Sequence, residues 1–233
     1  MLKIGLVILL FAIELYVYYS FGGFASYPFR ILGYGFLLFG YYSKKKYTLN
    51  FTDRLFIAAS FFPIFSPLPV YVLGFALGKT LELALIMIGY LFIIRIFQVE
   101  GSKIILADKQ NTFLNIFIPY VVMPCAFFIA VILPLTSATT IILTGVYLLL
   151  MLYMVVLSAF VPFTEKSKLY ISLAMFFVVL ASGANAYRMY ISHFPFDYGV
   201  VRIVTNLFRI FFMLGILYRV DQRVSYSVLS QKR

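Results

Sequence analysis

Two ionisable side chains stand inside long apolar runs of this chain, Glu14 near the start and Arg209 near the end. If such runs cross a bilayer, a charge at the centre costs about 2.5 to 3.5 kcal/mol on insertion scales, so these groups face the bundle interior and find partners. At a rise of about 1.5 Å per residue, Glu14 lies about 17 Å from the inner end of its run and Arg209 roughly 15 Å from the outer end of its own. The similar depth permits an ion pair between them. Arg202, Asn206 and Arg209 follow i, i+4, i+7 spacing and share one helix face. Ser182, Asn185 and Arg188, spaced by three, make a looser polar stripe. Together they outline a polar cavity opening outward, to the non-cytoplasmic side, with His193 and Asp197 in the connecting segment above it. Because Arg binds phosphate bidentately, an anionic headgroup is its natural occupant. The competing reading is that these groups are interhelical glue, worth about 0.6 kcal/mol per contact.

His193 is the only histidine, and Asp197 four residues on is placed to orient it for acid and base work. The intervening Phe194, Pro195 and Phe196 oppose a helical turn there, and no nucleophile stands beside the pair. One histidine and one cysteine, Cys125, build no metal cluster, so no metal and no cofactor is expected.

The elements that carry these residues follow from composition. Of 233 residues, 64% are apolar, 20% aromatic and 12% charged, with mean hydropathy +1.01. So few charges cannot cover a water-facing surface, which excludes a cytosolic enzyme or a secreted domain. The formal charge of +11 lies in short clusters between apolar runs and offers no continuous basic face for nucleic acid. Runs of about 20 apolar residues suffice to cross a bilayer as helices. Eight are present: Leu2 to Tyr19, Phe24 to Tyr42, Leu55 to Leu73, Thr80 to Phe97, Phe113 to Leu135, Thr139 to Phe163, Leu169 to Ile191 and Val200 to Tyr218. The expected fold is an all-α membrane bundle over residues 1–219 with a short cytoplasmic tail at 220–233. Pro63, Pro67 and Pro69 are expected to kink or break the third helix.

If the chain starts inside, fourteen Lys and Arg fall on the inner side: Lys3, Lys44, Lys45, Lys46, Arg54, Arg95, Lys103, Lys109, Lys166, Lys168, Arg219, Arg223, Lys232 and Arg233. Only Arg30, Lys79, Arg188 and Arg202 fall outside, with Arg209 left within the eighth span. The asymmetry places both termini in the cytoplasm, and the expected location is a bacterial cytoplasmic (inner) membrane. Tyrosines at span ends, among them Tyr16, Tyr18, Tyr19, Tyr41, Tyr42, Tyr187 and Tyr190, read as interfacial anchors in a chain without Trp.

Local sequence adds a likeness. Tyr27-Pro28-Phe29-Arg30 at the second span, Phe75 to Tyr90 with Gly78, and Phe176 to Tyr187 (FFVVLASGANAY) before a last helix at Val200 to Tyr218 resemble the YhhN-like family, which includes lysoplasmalogenases. That resemblance implies an eight-span fold with both ends inside, and a lysophospholipid or similar amphiphile as ligand. It also implies hydrolysis of a vinyl ether by aspartates on the third and seventh helices. Here those places read Ser66-Pro67 and Ser182-Gly183, and the family's late fourth-helix histidine has no counterpart near Met87 to Tyr90. Glu14 is then the one buried acid left as a catalytic candidate. The implied partners are membrane lipids. A small transporter or sensor, and a structural subunit of a membrane complex, are the alternatives. Broken helices favour the first, and the absence of an internal repeat opposes it.

Overall fold

The computed structural model describes residues 2–45, 48–104, 118–135 and 138–219, and all regular structure among them is helical. Helix α1 spans Leu2–Phe21 and α2 Gly23–Lys44, with the left-handed Gly22 between them. Helix α3, Phe51–Phe65, and the short α4, Leu68–Leu73, are separated by Ser66 and Pro67; α5 follows at Phe75–Val99. Residues 118–135 form an interrupted helix in which wide turns at Ile118–Val122 and Phe128–Ile132 flank Met123–Phe127. Pro119, Pro124 and Pro134 each remove a backbone donor there, which is how proline loosens a regular ladder. Helices α6, Ala138–Ser158, α7, Glu165–Tyr190, and α8, Asp197–Leu217, complete the described residues.

Among the described residues, five stretches are long and apolar enough to cross a membrane: Phe51–Leu73, Leu77–Val99, Thr140–Ser158, Glu165–Tyr190 and Asp197–Leu217. Gly5–Phe21 and Tyr120–Ile132 are shorter apolar helices. The third apolar run is broken by its prolines, and the break falls after Phe65, two residues beyond Pro63. The first part of the fifth expected span, Lys46, Lys109 and the tail at 220–233 lie outside the described residues.

Local signals set the helix ends. Asn50 and Asp53 form a reciprocal capping box on α3: Asn50 Oδ1 accepts from the Asp53 amide at 2.9 Å, and Asp53 Oδ2 from the Asn50 amide at 3.0 Å. Thr164 caps α7 by accepting from the Ser167 amide. The α4–α5 hairpin turns at Gly74, whose φ of +80° suits glycine, and closes on Gly78. A Cβ at Gly78 would lie 2.4 Å from Val70 Cα, so only glycine permits this approach.

Helix α1 packs on α2, α3 and α4 on α5, α5 on α6, and α7 on α8, while α2 reaches both α3 and α8. The core between them holds Tyr34, Phe56, Ile96, Phe97, Met154, Ile171 and Ile216, all buried. At the end of the bundle where α2 finishes and α3 begins, Asp53 accepts from the Tyr41 hydroxyl and pairs with Arg219 at 2.9 Å, while Arg219 also meets Glu100 at 2.9 Å. Tyr41 therefore corrects the anchor expectation. Its side chain is wholly buried because its hydroxyl serves an internal carboxylate rather than the interface.

Candidate functional site

At the opposite end, where Gly22, Gly74 and residues 191–196 make the turns, the bundle encloses a polar cavity of about 160 Å³. That is room for several waters or a small anion. Residues of α2, α3, α5, α6, α7 and α8 line it.

The site is built on Tyr34 of α2. Its hydroxyl accepts from Arg202 Nη1 at 2.9 Å and donates to Asn206 Oδ1 at 2.9 Å. Its ring lies under the Arg209 guanidinium, 3.8 Å from centroid to Cζ, a close cation–π stack. One tyrosine thus orders all three residues of the Arg202, Asn206, Arg209 face. That face turns into the bundle, with Arg202 and Asn206 buried and Arg209 half-buried.

Glu14 and Arg209 do not pair, although their similar depth permits it. Glu14 is 1% exposed and binds Arg202 with both oxygens, Oε1 to Nε at 2.7 Å and Oε2 to Nη2 at 2.8 Å. Tyr198 adds a hydroxyl bond to Oε1 at 3.1 Å. The physical reason is register. Arg202 lies two turns nearer than Arg209 to the end of α8 where α1 finishes, and its planar fork matches the carboxylate. Glu14 is absent from the cavity lining and holds Arg202 from behind.

Five cations line the cavity: Arg30, Lys79, Arg188, Arg202 and Arg209. Among the described residues its one lining carboxylate is Glu82, bonded to Lys79 at 2.6 Å. Nη1 of Arg209 and Nε of Arg30 are buried with no hydrogen-bond partner among the described residues. A buried cation with spare donors costs several kcal/mol unless something negative compensates it, as a rough magnitude. Burial deepens along the cavity. Lys79, Glu82 and Arg188 keep about a fifth of their side-chain surface exposed, whereas Arg202 keeps 4%.

Ser182, Asn185 and Arg188 of α7 all line this cavity, as do Arg202 and Arg209. Asn206 stands behind Tyr34 and is absent from the lining. His193 and Asp197 also lie outside the lining, in the connection that precedes α8 and at its first residue. They bond to one another at 2.6 Å, but the His193 side chain is 84% exposed and the 191–196 connection is not helical, so the imidazole points away from the enclosed volume. Asp197 lies 4.0 Å from Arg188 Nε and offsets that charge at the rim. Among the described residues no three His, Cys, Asp or Glu side chains gather as metal ligands would.

Sequence reasoning missed Arg30, Tyr34, Lys79, Glu82, Tyr90 and Tyr147. The signal for the first three was present. Arg30, Lys79, Arg188 and Arg202 are the four cations that violate the charge asymmetry, Arg209 is the one left within a span, and all five converge here. Arg30 and Tyr34, spaced by four, share a face of α2. No family model, no curated protein and no solved structure matches this chain.

Proposed function

We propose that this chain is a multi-pass protein of a bacterial cytoplasmic membrane that crosses the bilayer eight times with both ends in the cytoplasm, and that its cavity binds the anionic headgroup of a membrane amphiphile. The observation that carries the reading is the Arg209 guanidinium. It lines the cavity, stacks on Tyr34 and keeps Nη1 buried without a hydrogen-bond partner among the described residues. Of the five lining cations, Arg202 is matched by Glu14, Lys79 by Glu82 and Arg188 by Asp197, which leaves Arg30 and Arg209 without a carboxylate among the described residues, a local field that an anion completes. A phosphate-type group, with several acceptor oxygens, suits guanidinium donors best.

The YhhN-like likeness supports the architecture and the ligand class more than the reaction. Glu14, the acid that the sequence offered for a proton-transfer role, has both oxygens engaged by Arg202, and this favours a positioning role. Binding of inorganic phosphate to the purified protein in nanodiscs of neutral lipid tests the proposal. Arg209→Gln is expected to weaken it at least tenfold, and undiminished binding by that variant overturns it.

One observation favours a second reading, transport of the same anion. The α3–α4 break lies at the cavity, where Pro63 and Ser66 are part of the lining, and discontinuous helices at a midplane site are a feature of transporters. Flux of phosphate into proteoliposomes, abolished by Arg209→Gln, would select this reading over binding alone.

A further inference from the structure

The charges that meet at the cavity can be matched pair by pair. Glu14 holds Arg202 with both oxygens, Glu82 bonds Lys79 at 2.6 Å, and Asp197 lies 4.0 Å from Arg188. Among the described residues no carboxylate is paired with Arg30 or Arg209. Each of these two also keeps a nitrogen buried without a hydrogen-bond partner, Nε in Arg30 and Nη1 in Arg209. The hydroxyls of Tyr90, Tyr147 and Ser182 in the lining are bonded to one another and carry no charge at neutral pH, so they leave the count as it is.

The two unmatched cations act at one place. Arg30 stands one turn from Tyr34 on the same face of α2, and Arg209 stacks on that ring, so both guanidinium groups adjoin Tyr34. A monoanion bound here would match one of them and leave the other with its full cost of burial. A dianion matches both. Among phosphate-type groups that difference in charge is a difference in chemistry. A phosphomonoester ends in a phosphoryl group with three acceptor oxygens and carries about −1.5 to −2 at pH 7. A phosphodiester carries a single charge.

The enclosed volume of about 160 Å³ is also small. On one side the Tyr147–Ser182 pair stands as a wall between it and an apolar hollow of about 750 Å³ beside residues 118–135, α6 and α7. Whatever carries the bound group therefore leaves by the rim, where Lys79, Glu82 and Arg188 keep about a fifth of their side-chain surface exposed.

We infer that the cavity selects a dianionic terminal phosphoryl group, that of a phosphomonoester or of inorganic phosphate, and that Arg30 is the residue that reads the second charge beside Arg209. This rests on the anion reading given above and separates its ligand from diester headgroups.

The experiment compares methyl phosphate with methyl sulfate, which has the same shape and the same terminal oxygens but one negative charge fewer at about pH 8, where the monoester is fully ionised. Each displaces radiolabelled inorganic phosphate from the full-length protein in neutral-lipid nanodiscs, with empty nanodiscs subtracted. Methyl phosphate is expected to compete at a concentration at least tenfold below that of methyl sulfate. In Arg30→Gln the two should come within roughly threefold of one another, and Arg30→Lys, which keeps the charge, should restore the preference; Arg30→Met replaces the glutamine variant if that one does not fold. Equal competition in the unmodified protein, or a preference untouched by loss of the Arg30 charge, overturns the dianion site and leaves the anion reading standing.

Nanodiscs doped with phosphatidic acid, a monoester head, or phosphatidylglycerol, a diester head, then identify the source. Given the methyl phosphate preference, loss of phosphate binding with phosphatidic acid alone supports the inference with a lipid as the source. No loss with either supports it with a water-soluble phosphate as the source, and equal loss with both overturns it. Absent phosphate binding, or binding indifferent to Arg209→Gln, overturns the anion reading and the dianion site with it.

Discussion

Glu14 and Arg202, 188 residues apart in sequence, form a bidentate ion pair inside the bundle, with side-chain exposures of 1% and 4%. The pair ties α1 to α8, and through the second guanidinium edge of Arg202 it fixes Tyr34 of α2. Breaking a buried pair by removing one partner leaves the other charge uncompensated, which costs about 3 to 5 kcal/mol. Glu14→Gln is therefore expected to lower stability by that order, seen as a clear fall in the thermal midpoint in detergent. Glu14→Gln combined with Arg202→Met should recover part of the loss, because no lone charge remains.

Arg209 behaves in the opposite way. With no carboxylate partner and one buried nitrogen unsatisfied among the described residues, Arg209→Gln is expected to leave the thermal midpoint unchanged or raise it. The same substitution should weaken phosphate binding at least tenfold, equivalent to about 1.4 kcal/mol. Titration calorimetry and a melting curve on one preparation separate the two effects.

His193 lies outside the cavity and points away from it. His193→Ala is expected to change stability by less than about 0.5 kcal/mol, as exposed substitutions do, and to leave phosphate affinity within twofold. A loss of binding in this variant would return the 191–197 connection to the site.

The α4–α5 hairpin depends on Gly78. Its Cβ would meet Val70 Cα at 2.4 Å and Pro69 O at 2.7 Å, backbone atoms that cannot turn aside. Gly78→Ala is expected to cost about 1 to 3 kcal/mol by overpacking. Because Lys79 and Glu82 follow on the same helix and line the cavity, phosphate affinity should fall as well. Melting and binding assays check the two effects.

The proposed topology, eight crossings with an inner N-terminus, would put the C-terminus in the cytoplasm. A C-terminal fluorescent reporter that matures only in the cytoplasm should fluoresce, and a phosphatase reporter active only outside should stay silent. The reverse result would remove a span from the topology.

Much of the helical layout was legible along the chain, because hydropathy depends on consecutive residues. Apolar runs marked the helices, and Pro63, Pro67 and Pro69 marked the α3–α4 break. The i, i+4, i+7 spacing put Arg202, Asn206 and Arg209 on one face, where Tyr34 now contacts all three. Tyr41 was not legible, since an interfacial anchor and a buried donor to Asp53 look alike at the end of a span.

By itself, the sequence established helices long and apolar enough to cross a membrane, and a set of charges that do not belong in lipid. Those conclusions need only composition, period and rise per residue. Which carboxylate meets which guanidinium depends on how each helix is rotated about its axis and which helix it packs against. The same packing brings Arg30 and Lys79, on helices far apart in sequence, to the cavity of Arg209, and sets Tyr147 and Ser182 between a charged hollow and an apolar one. Only contacts between distant segments supply that rotation and neighbour choice, so the tertiary structure alone decided them.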